Sequence, residues 1–179
     1  SPYWLSYPEM VTLAGGKARF IETEEKNNFK ITPSALKDSI TKNTKALVLN
    51  SPSNPTGCVY NIEELKEIAR IAVEQDVLII SDEIYEKIIF GSKRHVSIAS
   101  VDDEVFKNTI VVNGVSKTFA MTGWRIGYMA SSRDDLVTSV KNLQSHSTSN
   151  PASISQAAAL EAVKSNDRGV KAMVKEFER

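Results

Sequence analysis

The sequence predicts an α/β fold in which helices cover both faces of a mostly parallel sheet. Three short apolar runs carry this prediction, because each is rich in β-branched residues and ends on polar ones, as buried parallel strands do. They span residues 45–50, 77–82 and 109–113. Between the first two, apolar side chains recur at helical spacing over residues 62–73, and Asn61 stands where an N-cap is expected. Strand, helix and strand together predict a right-handed parallel crossover.

The remaining segments predict shorter elements around this unit. Pro8 stands near the first turn of a helix that runs to Ala14, and the glycine pair at 15–16 ends it. Residues 18–22 predict another strand. The other predicted elements are a strand at 127–130 and helices at 33–40, 134–144, 154–164 and 168–179.

The composition is that of an ordinary globular domain and excludes several classes of partner. Hydrophobic residues make up 41% of the 179 residues, and 22 basic residues balance 22 acidic ones. Because the basic residues are scattered, we expect no nucleic-acid partner, and no apolar run is long enough to suggest a membrane partner. Cys58 is the single cysteine, and one cysteine with two distant histidines predicts no metal site. We therefore expect a cytoplasmic protein without a metal.

Polar residues follow all three central strands. Asn50 opens the segment Asn-Ser-Pro-Ser-Asn-Pro-Thr-Gly, and Asp82 and Tyr85 follow the second strand. The third strand leads into Ser-Lys-Thr-Phe-Ala-Met-Thr-Gly-Trp-Arg-Ile-Gly at 116–127. Since ligands of open α/β sheets bind at the carboxyl ends of the strands, we expect these groups to line one crevice.

The chemical groups in this set match those of pyridoxal phosphate. A lysine in a partly desolvated site, for which Lys117 is the candidate, can form a Schiff base with an aldehyde. Arg125 can pair with a phosphate in a bidentate manner. Asp82 can hold a protonated ring nitrogen, and Asn54 and Tyr85 can hydrogen-bond a ring hydroxyl. An aldehyde, a phosphate, a basic ring nitrogen and a phenolic oxygen together describe this cofactor.

Four motifs, in order along the chain, resemble the large domain of class I pyridoxal-phosphate-dependent aminotransferases. The aspartate aminotransferase branch is the most similar. The motifs are Ser-Pro-Tyr-Trp with Tyr-Pro-Glu-Met-Val at 1–11, Asn-Pro-Thr-Gly at 54–57, Asp82 with Tyr85, and the segment 116–127. The resemblance implies that residues 1–179 form the central part of the large cofactor-binding domain of fold type I, truncated at both ends. Residues from about 168 would lead towards a small domain.

The resemblance also implies a role for each matching residue. Lys117 would hold the cofactor and later move a proton between the substrate Cα and cofactor C4′, and Asp82 would pair with the pyridinium nitrogen. The remaining implied contacts are those of Tyr85 and Asn54 with the phenolic oxygen, of Ser116 and Arg125 with the phosphate, and of Trp4 with the ring face. Two family features are expected outside this sequence: a small-residue phosphate loop and the arginine that grips the substrate carboxylate.

The implied reaction moves an amino group from an amino acid to a 2-oxo acid by a ping-pong route, with aspartate and 2-oxoglutarate as the expected pair. A homodimer is the assembly that the resemblance implies. Three alternatives stay open: another reaction or amino donor on the same cofactor, such as β-lyase chemistry; a cofactor-binding regulatory module; and a non-catalytic α/β interaction domain.

Some of these residues also have a structural interpretation. Lys117 is alternatively a surface lysine, and Asp82 a turn cap. Tyr85 is alternatively a core aromatic, and Asn54 part of a plain turn. For Arg125 the alternative is pairing with a surface carboxylate, and for Trp4 it is a core or frayed position. Glu83 is expected to point away from Asp82 and is assigned no chemistry. Cys58 is predicted to be a small buried residue, and His95 and His146 are predicted to lie at the surface without partners.

Overall fold

A computed structural model describes all 179 residues, 1–179, and contains one sheet and seven α-helices. The strands are β1 (Ala46–Asn50), β2 (Leu78–Asp82), β3 (Thr109–Gly114) and β4 (Gly127–Ala130). The helices are α1 (Ser6–Leu13), α2 (Pro33–Ser39), α3 (Ile62–Glu74), α4 (Asp103–Lys107), α5 (Asp134–Ser145), α6 (Ser153–Lys164) and α7 (Arg168–Phe177). Short 3-10 helices cover Glu25–Asn27, Ile98–Ser100 and Thr122–Trp124. None of the helices combines the length and apolar character needed to cross a bilayer.

The four strands lie side by side in the order β1-β2-β3-β4. The first three run parallel, and β4 joins β3 in the antiparallel direction. Asn50 pairs with Asp82 where β1 and β2 end, and Asp82 pairs in turn with Val112 of β3. Helix α3 lies in the crossover between β1 and β2, as predicted. The predicted α/β class with a mostly parallel sheet is therefore confirmed, and it brings three strand ends to one edge.

The main apolar core lies between α3 and one face of the sheet. Helix α3 contributes Leu65, Ile68 and Ala72, and β2 contributes Ile79, all at most 1% exposed. Full burial of one leucine or isoleucine side chain stabilises a fold by about 1.5–3 kcal/mol. The core therefore holds β2 rigidly, and β2 carries the polar residues at its end.

Side-chain alternation separates the two faces of the sheet. Ser81 and Glu83 are buried on the core side, whereas Asp82 shares the opposite side with Val112, which is 39% exposed. The expectation that Glu83 points away from Asp82 is confirmed. Cys58 is buried in the core as predicted.

Two helix boundaries follow the predicted local signals. The Asn61 side chain accepts a hydrogen bond from Glu64 N at 2.9 Å, and the Glu64 carboxylate accepts one from Asn61 N at 2.7 Å, which forms a capping box on α3. At the end of α1, Gly15 adopts a φ of 74°, and Gly16 N donates to Val11 O at 2.8 Å.

The predicted strand at residues 18–22 is wrong, because this segment has no strand assignment in the structure. A strand needs a hydrogen-bonded neighbour along its length. Here the neighbour is a single residue: Ser1 N donates to Ile21 O, and Thr23 N donates to Ser1 O. Residues 18–21 and β1 both line a cavity of about 1100 Å³, and no backbone hydrogen bonds join the two segments.

Helix α4 was not predicted. It has only five residues, too few for an apolar period to be recognised. Its signal is the cap: one Asp102 carboxylate oxygen accepts hydrogen bonds from Glu104 N and Val105 N.

Candidate active site

The candidate site lies where β1, β2 and β3 end on the same edge of the sheet. Their last residues are Asn50, Asp82 and Gly114. The turns that follow these ends carry the predicted residues Asn54, Tyr85 and Lys117. Ser116 and Arg125 lie on the loop after β3, and Trp4 lies just before α1. Four separate stretches of chain therefore supply the seven predicted residues.

Asp82 presents a carboxylate that is held by two donors. Its Oδ2 accepts a hydrogen bond from the Tyr7 hydroxyl at 2.5 Å, and its Oδ1 accepts one from Ile84 N at 3.1 Å. The side chain is half-buried on the sheet face opposite to the core. A carboxylate has about four lone-pair positions, so each oxygen keeps capacity for a further donor.

Tyr7 is a site residue that the sequence analysis missed. It lies on α1, and its ring meets the Trp4 ring edge-on, with centroids 5.3 Å apart. Burial, and then the hydrogen bond to Asp82, raise the pKa of the Tyr7 phenol far above its ordinary value of 10. The available signal was its spacing, three residues after Trp4, which brings two aromatic rings to one side of a helical turn.

Asn50 joins the first two strand ends. Its side-chain amide donates to Asp82 O at 3.0 Å, and its Oδ1 accepts from Asn54 N at 2.7 Å. Asn54 is therefore held at the start of its turn through its backbone, while its own side chain has no hydrogen-bond partner in the structure. The turn predicted at Asn54 is present, and the role of its side chain stays a prediction.

Lys117 and Tyr85 lie close together across the ends of β2 and β3. The Lys117 Nζ is 5.8 Å from the centroid of the Tyr85 ring. Lys117 is half-buried, and its amine has neither a salt bridge nor a hydrogen bond. A cation over an aromatic face is attracted to it by about 0.5–2 kcal/mol. Lys117 is thus partly shielded from solvent by its neighbours, and its role stays a prediction.

The loop from Ser116 to Arg125 is closed by its own polar contacts. Thr122 Oγ1 donates to Ser116 O at 3.2 Å, and the Arg125 guanidinium donates to Thr122 O at 2.7 Å. Arg125 has a φ of 55° and an exposed side chain. A non-glycine residue in this left-handed region is uncommon and marks a constrained backbone. The guanidinium makes no ion pair, so a surface carboxylate does not occupy it.

A close backbone approach anchors this loop to the sheet. A Cβ on Gly114 would lie 2.8 Å from Ile126 O and 3.2 Å from the Cα of Gly127. Gly114 and Gly127 are paired across β3 and β4. Glycine at position 114 therefore lets the loop leave and re-enter the sheet at adjacent positions.

Glu83 lies in a separate, buried polar cluster. Its Oε1 accepts hydrogen bonds from Ser81 Oγ at 2.9 Å and Ser97 Oγ at 2.7 Å, and its Oε2 lies 2.9 Å from His95 Nε2. Burial opposes the charge of Glu83, but the hydrogen bonds from His95, Ser97 and Ser81 outweigh it and hold its pKa below the ordinary value of 4.5.

The prediction that His95 is a surface residue without a partner is wrong. Its side chain is 13% exposed and pairs with Glu83, because the chain after β2 folds back over the strand end. Ligand atoms of Glu83, Glu86 and His95 lie within 4.8 Å of one another. Hydrogen bonding within the cluster accounts for Glu83 and His95 in this arrangement. His146 is exposed, as predicted.

Comparison with known proteins finds relatives that match the chain along its whole length. A family model for aminotransferases of class I and II matches residues 1–179. Aspartate aminotransferase of Bacillus subtilis (strain 168) is 52% identical over 178 residues, which are 99% of this chain and 45% of that protein.

Solved structures agree with this result. The aromatic aminotransferase from Pyrococcus horikoshii OT3 matches with a TM-score of 0.96 and 42% identity, over 100% of this chain and 48% of that one. The aspartate aminotransferase from Thermus thermophilus with maleate matches with a TM-score of 0.90 and 44% identity, over 99% of this chain and 45% of that one. The chain therefore spans about half the length of the relatives it matches.

Proposed function

This chain belongs to the class I and II aminotransferases, and we propose that the whole protein moves an amino group from an amino acid to a 2-oxo acid with pyridoxal phosphate. The amine of Lys117 is the observation that carries this proposal. It is half-buried, has no salt bridge or hydrogen bond, and lies over the Tyr85 ring at the edge where the strands end. An amine that no other group of the chain occupies is available to react, in its neutral form, with a carbonyl cofactor.

The surrounding donor set fits this cofactor. Bound there, pyridoxal phosphate supplies an electron sink for negative charge that develops at the substrate Cα. The Lys117 amine would hold its aldehyde carbon by a condensation that releases one water. The other residues that would hold the cofactor are Asp82 at the ring nitrogen, Asn54 and Tyr85 at the phenolic oxygen, Ser116 and Arg125 at the phosphate, and Trp4 at the ring face.

Asp82 supports this assignment through its fixed charge. Both carboxylate oxygens already accept one hydrogen bond each, from Tyr7 and from Ile84 N, so the group is oriented before any ligand arrives. A preorganised carboxylate stabilises a protonated ring nitrogen without reorganisation during the reaction, which is the usual source of a large electrostatic contribution to the rate.

The two basic residues of the site would have different roles, Lys117 in proton transfer and Arg125 in phosphate binding. Once the substrate amine has taken its place on the cofactor, the Lys117 amine would be free to accept the proton from the substrate Cα. It is half-buried and makes no salt bridge or hydrogen bond that would engage it. Arg125 carries a guanidinium whose only hydrogen bond goes to Thr122 O, which leaves most of its five donors for a phosphate.

Aspartate with 2-oxoglutarate is the substrate pair that we propose. The 52% identity to an aspartate aminotransferase supports it, as does the Thermus thermophilus enzyme solved with maleate, a dicarboxylate. An aromatic amino donor is the second candidate, because the Pyrococcus horikoshii aromatic aminotransferase matches this chain with a TM-score of 0.96.

We also propose that residues 1–179 are the central part of a large cofactor-binding domain, that residues from about 168 lead towards a small domain, and that the whole protein is a cytoplasmic homodimer. Apolar side chains are exposed on α5 and α6 of this chain, which leaves them to be covered by the rest of the protein or by a second subunit. They are Leu143, Ile154, Leu160 and Val163. The free, buried Cys58 is compatible with a reducing compartment.

The test uses the full-length protein with pyridoxal phosphate and 2-oxoglutarate. Aspartate and phenylalanine are compared as amino donors by their kcat/KM. We expect turnover with aspartate at the higher kcat/KM and a loss of about 10²–10⁴ in turnover for Lys117→Ala. Lys87→Ala is the matched control, because Lys87 also lies over an aromatic ring, that of Phe119, but pairs with Asp167. No turnover with any donor, or full activity in Lys117→Ala, would overturn the proposal.

A further inference from the structure

We infer that Tyr7 is a positioning residue that orients the Asp82 carboxylate towards the ring nitrogen of the bound cofactor. The inference rests on the proposed function, since it concerns how Asp82 would act on pyridoxal phosphate. The Tyr7 hydroxyl donates to Asp82 Oδ2 at 2.5 Å across 75 residues of sequence.

The two donors on Asp82 come from different directions. Ile84 N belongs to the turn that follows β2, so it moves with Asp82 and fixes only one oxygen. Tyr7 belongs to α1 and fixes the other oxygen from outside the sheet. Together they hold both ends of the carboxylate, which sets the plane of the group and the direction of its free lone pairs.

Tyr7 remains a donor throughout the physiological pH range. Burial, together with its neighbour Asp82, raises the pKa of the phenol, so the hydroxyl is protonated at neutral pH. The hydrogen bond therefore runs from the Tyr7 hydroxyl to the carboxylate. A donor on the carboxylate withdraws charge from it and lowers its tendency to take a proton from the ring nitrogen.

The same contact links α1 to the sheet. Helix α1 contains no buried residue, and the bond from Tyr7 to Asp82 is its one side-chain hydrogen bond to the sheet. The edge-on contact of Tyr7 with Trp4 then links the proposed ring-stacking residue to the proposed ring-nitrogen partner. A purely structural role would be to tether α1, so the test must separate tethering from an effect on Asp82.

The experiment uses the full-length protein loaded with pyridoxal phosphate that carries ¹⁵N in the ring. The ¹⁵N chemical shift reports whether the ring nitrogen is protonated. In Tyr7→Phe we expect this resonance to move towards the position of unprotonated pyridine and the dissociation constant for pyridoxal phosphate to rise about tenfold. Tyr60→Phe is the matched control, because Tyr60 also has a buried hydroxyl, which accepts from Ile31 N, away from Asp82.

A second variant keeps the test decisive if Tyr7→Phe folds poorly. Fluorotyrosine at position 7 keeps the hydroxyl and the ring but is a stronger donor, so the ¹⁵N resonance is expected to move in the opposite direction. A ¹⁵N shift that stays constant in both variants, while wild type binds the cofactor, would overturn this inference alone. Failure of wild type to bind pyridoxal phosphate would overturn the proposed function and this inference together.

Discussion

Asp82 and Glu83 are adjacent carboxylates in opposite surroundings, so replacing each by alanine should impair the protein in a different way. Asp82 faces the candidate site from the outer side of the sheet and is half-buried. Glu83 is buried on the core side and is held by Ser81, Ser97 and His95. We expect Asp82→Ala to reduce turnover and Glu83→Ala to reduce stability.

The expected loss for Asp82→Ala is kinetic. Removing one preorganised electrostatic contact typically lowers turnover by about 10²–10³, or about 2.7–4 kcal/mol in the activation free energy. The groups left without an acceptor are the Tyr7 hydroxyl and Ile84 N. Because the position is half-buried, water can replace much of what these donors lose, and the free energy of unfolding should change less than in the Glu83 variant.

The expected loss for Glu83→Ala is thermodynamic. The change leaves two serine hydroxyls and one imidazole without their acceptor at a position that is 3% exposed. Leaving a buried donor without its acceptor costs about 1–3 kcal/mol in the free energy of unfolding, so the loss of the acceptor for several donors should be large. Glu83→Gln is the matched control: both serines donate to Oε1, which glutamine retains. Its cost should therefore be clearly smaller than that of Glu83→Ala.

The assay measures single-turnover rates and urea unfolding of full-length wild type, Asp82→Ala, Glu83→Ala and Glu83→Gln. Rates are compared at a temperature at which every variant is folded. Equal losses of turnover in Asp82→Ala and Glu83→Ala under those conditions would mean that the wrong carboxylate has been assigned to the ring nitrogen. A Glu83→Ala variant as stable as wild type would refute the argument from the buried cluster.

Three further predictions concern stability. Because the folded-state pKa of Glu83 is lowered, its ionised form stabilises the fold above pH 4.5. Urea unfolding at a series of pH values should show that this contribution is lost as the pH falls through the lowered pKa. The free energy of unfolding of Glu83→Gln should depend less on pH over the same range. Gly114→Ala should lower the thermal unfolding midpoint, since its Cβ would meet Ile126 O at 2.8 Å; an unchanged midpoint would show that the loop yields without cost. Asn61→Ala should lower the free energy of unfolding, measured in urea, by about 0.5–2 kcal/mol because α3 loses its N-cap. An unchanged free energy of unfolding would show that the capping box does not stabilise the fold.

Predictions from the sequence were correct where a local pattern of residues matched the way in which the segment is buried in the fold. Residues 62–73 combine helical apolar spacing with a capping residue, and the structure has a helix at Ile62–Glu74. The three central strands were predicted because both of their faces are apolar, and they lie in the sheet within one residue of the predicted bounds. The family predicted from four motifs is confirmed by the comparisons. The roles of the individual site residues stay predictions.

The errors arose where structure depends on distant partners. Residues 18–22 have strand-like composition, but hydrogen bonding to Ser1 alone does not make a strand. His95 lacked a visible partner because Glu83 reaches it only after the chain folds back over β2. The contact of Tyr7 with Asp82 was missed because the two residues are 75 apart in sequence, and the spacing of Tyr7 from Trp4 does not point to Asp82. Contacts of this kind leave no periodic signal, so pattern analysis alone does not find them.

The central claim is that Lys117 is the amine that binds the cofactor, and one measurement tests it directly. The full-length protein is incubated with pyridoxal phosphate, reduced with borohydride, digested and mapped by mass spectrometry. Lys117 and Lys87 both lie over aromatic rings, but only Lys117 is without a salt bridge. The account predicts that the reduced cofactor is found on the peptide that contains Lys117 and on no other peptide at stoichiometric yield. A stoichiometric label on Lys87 or on any other lysine would contradict it.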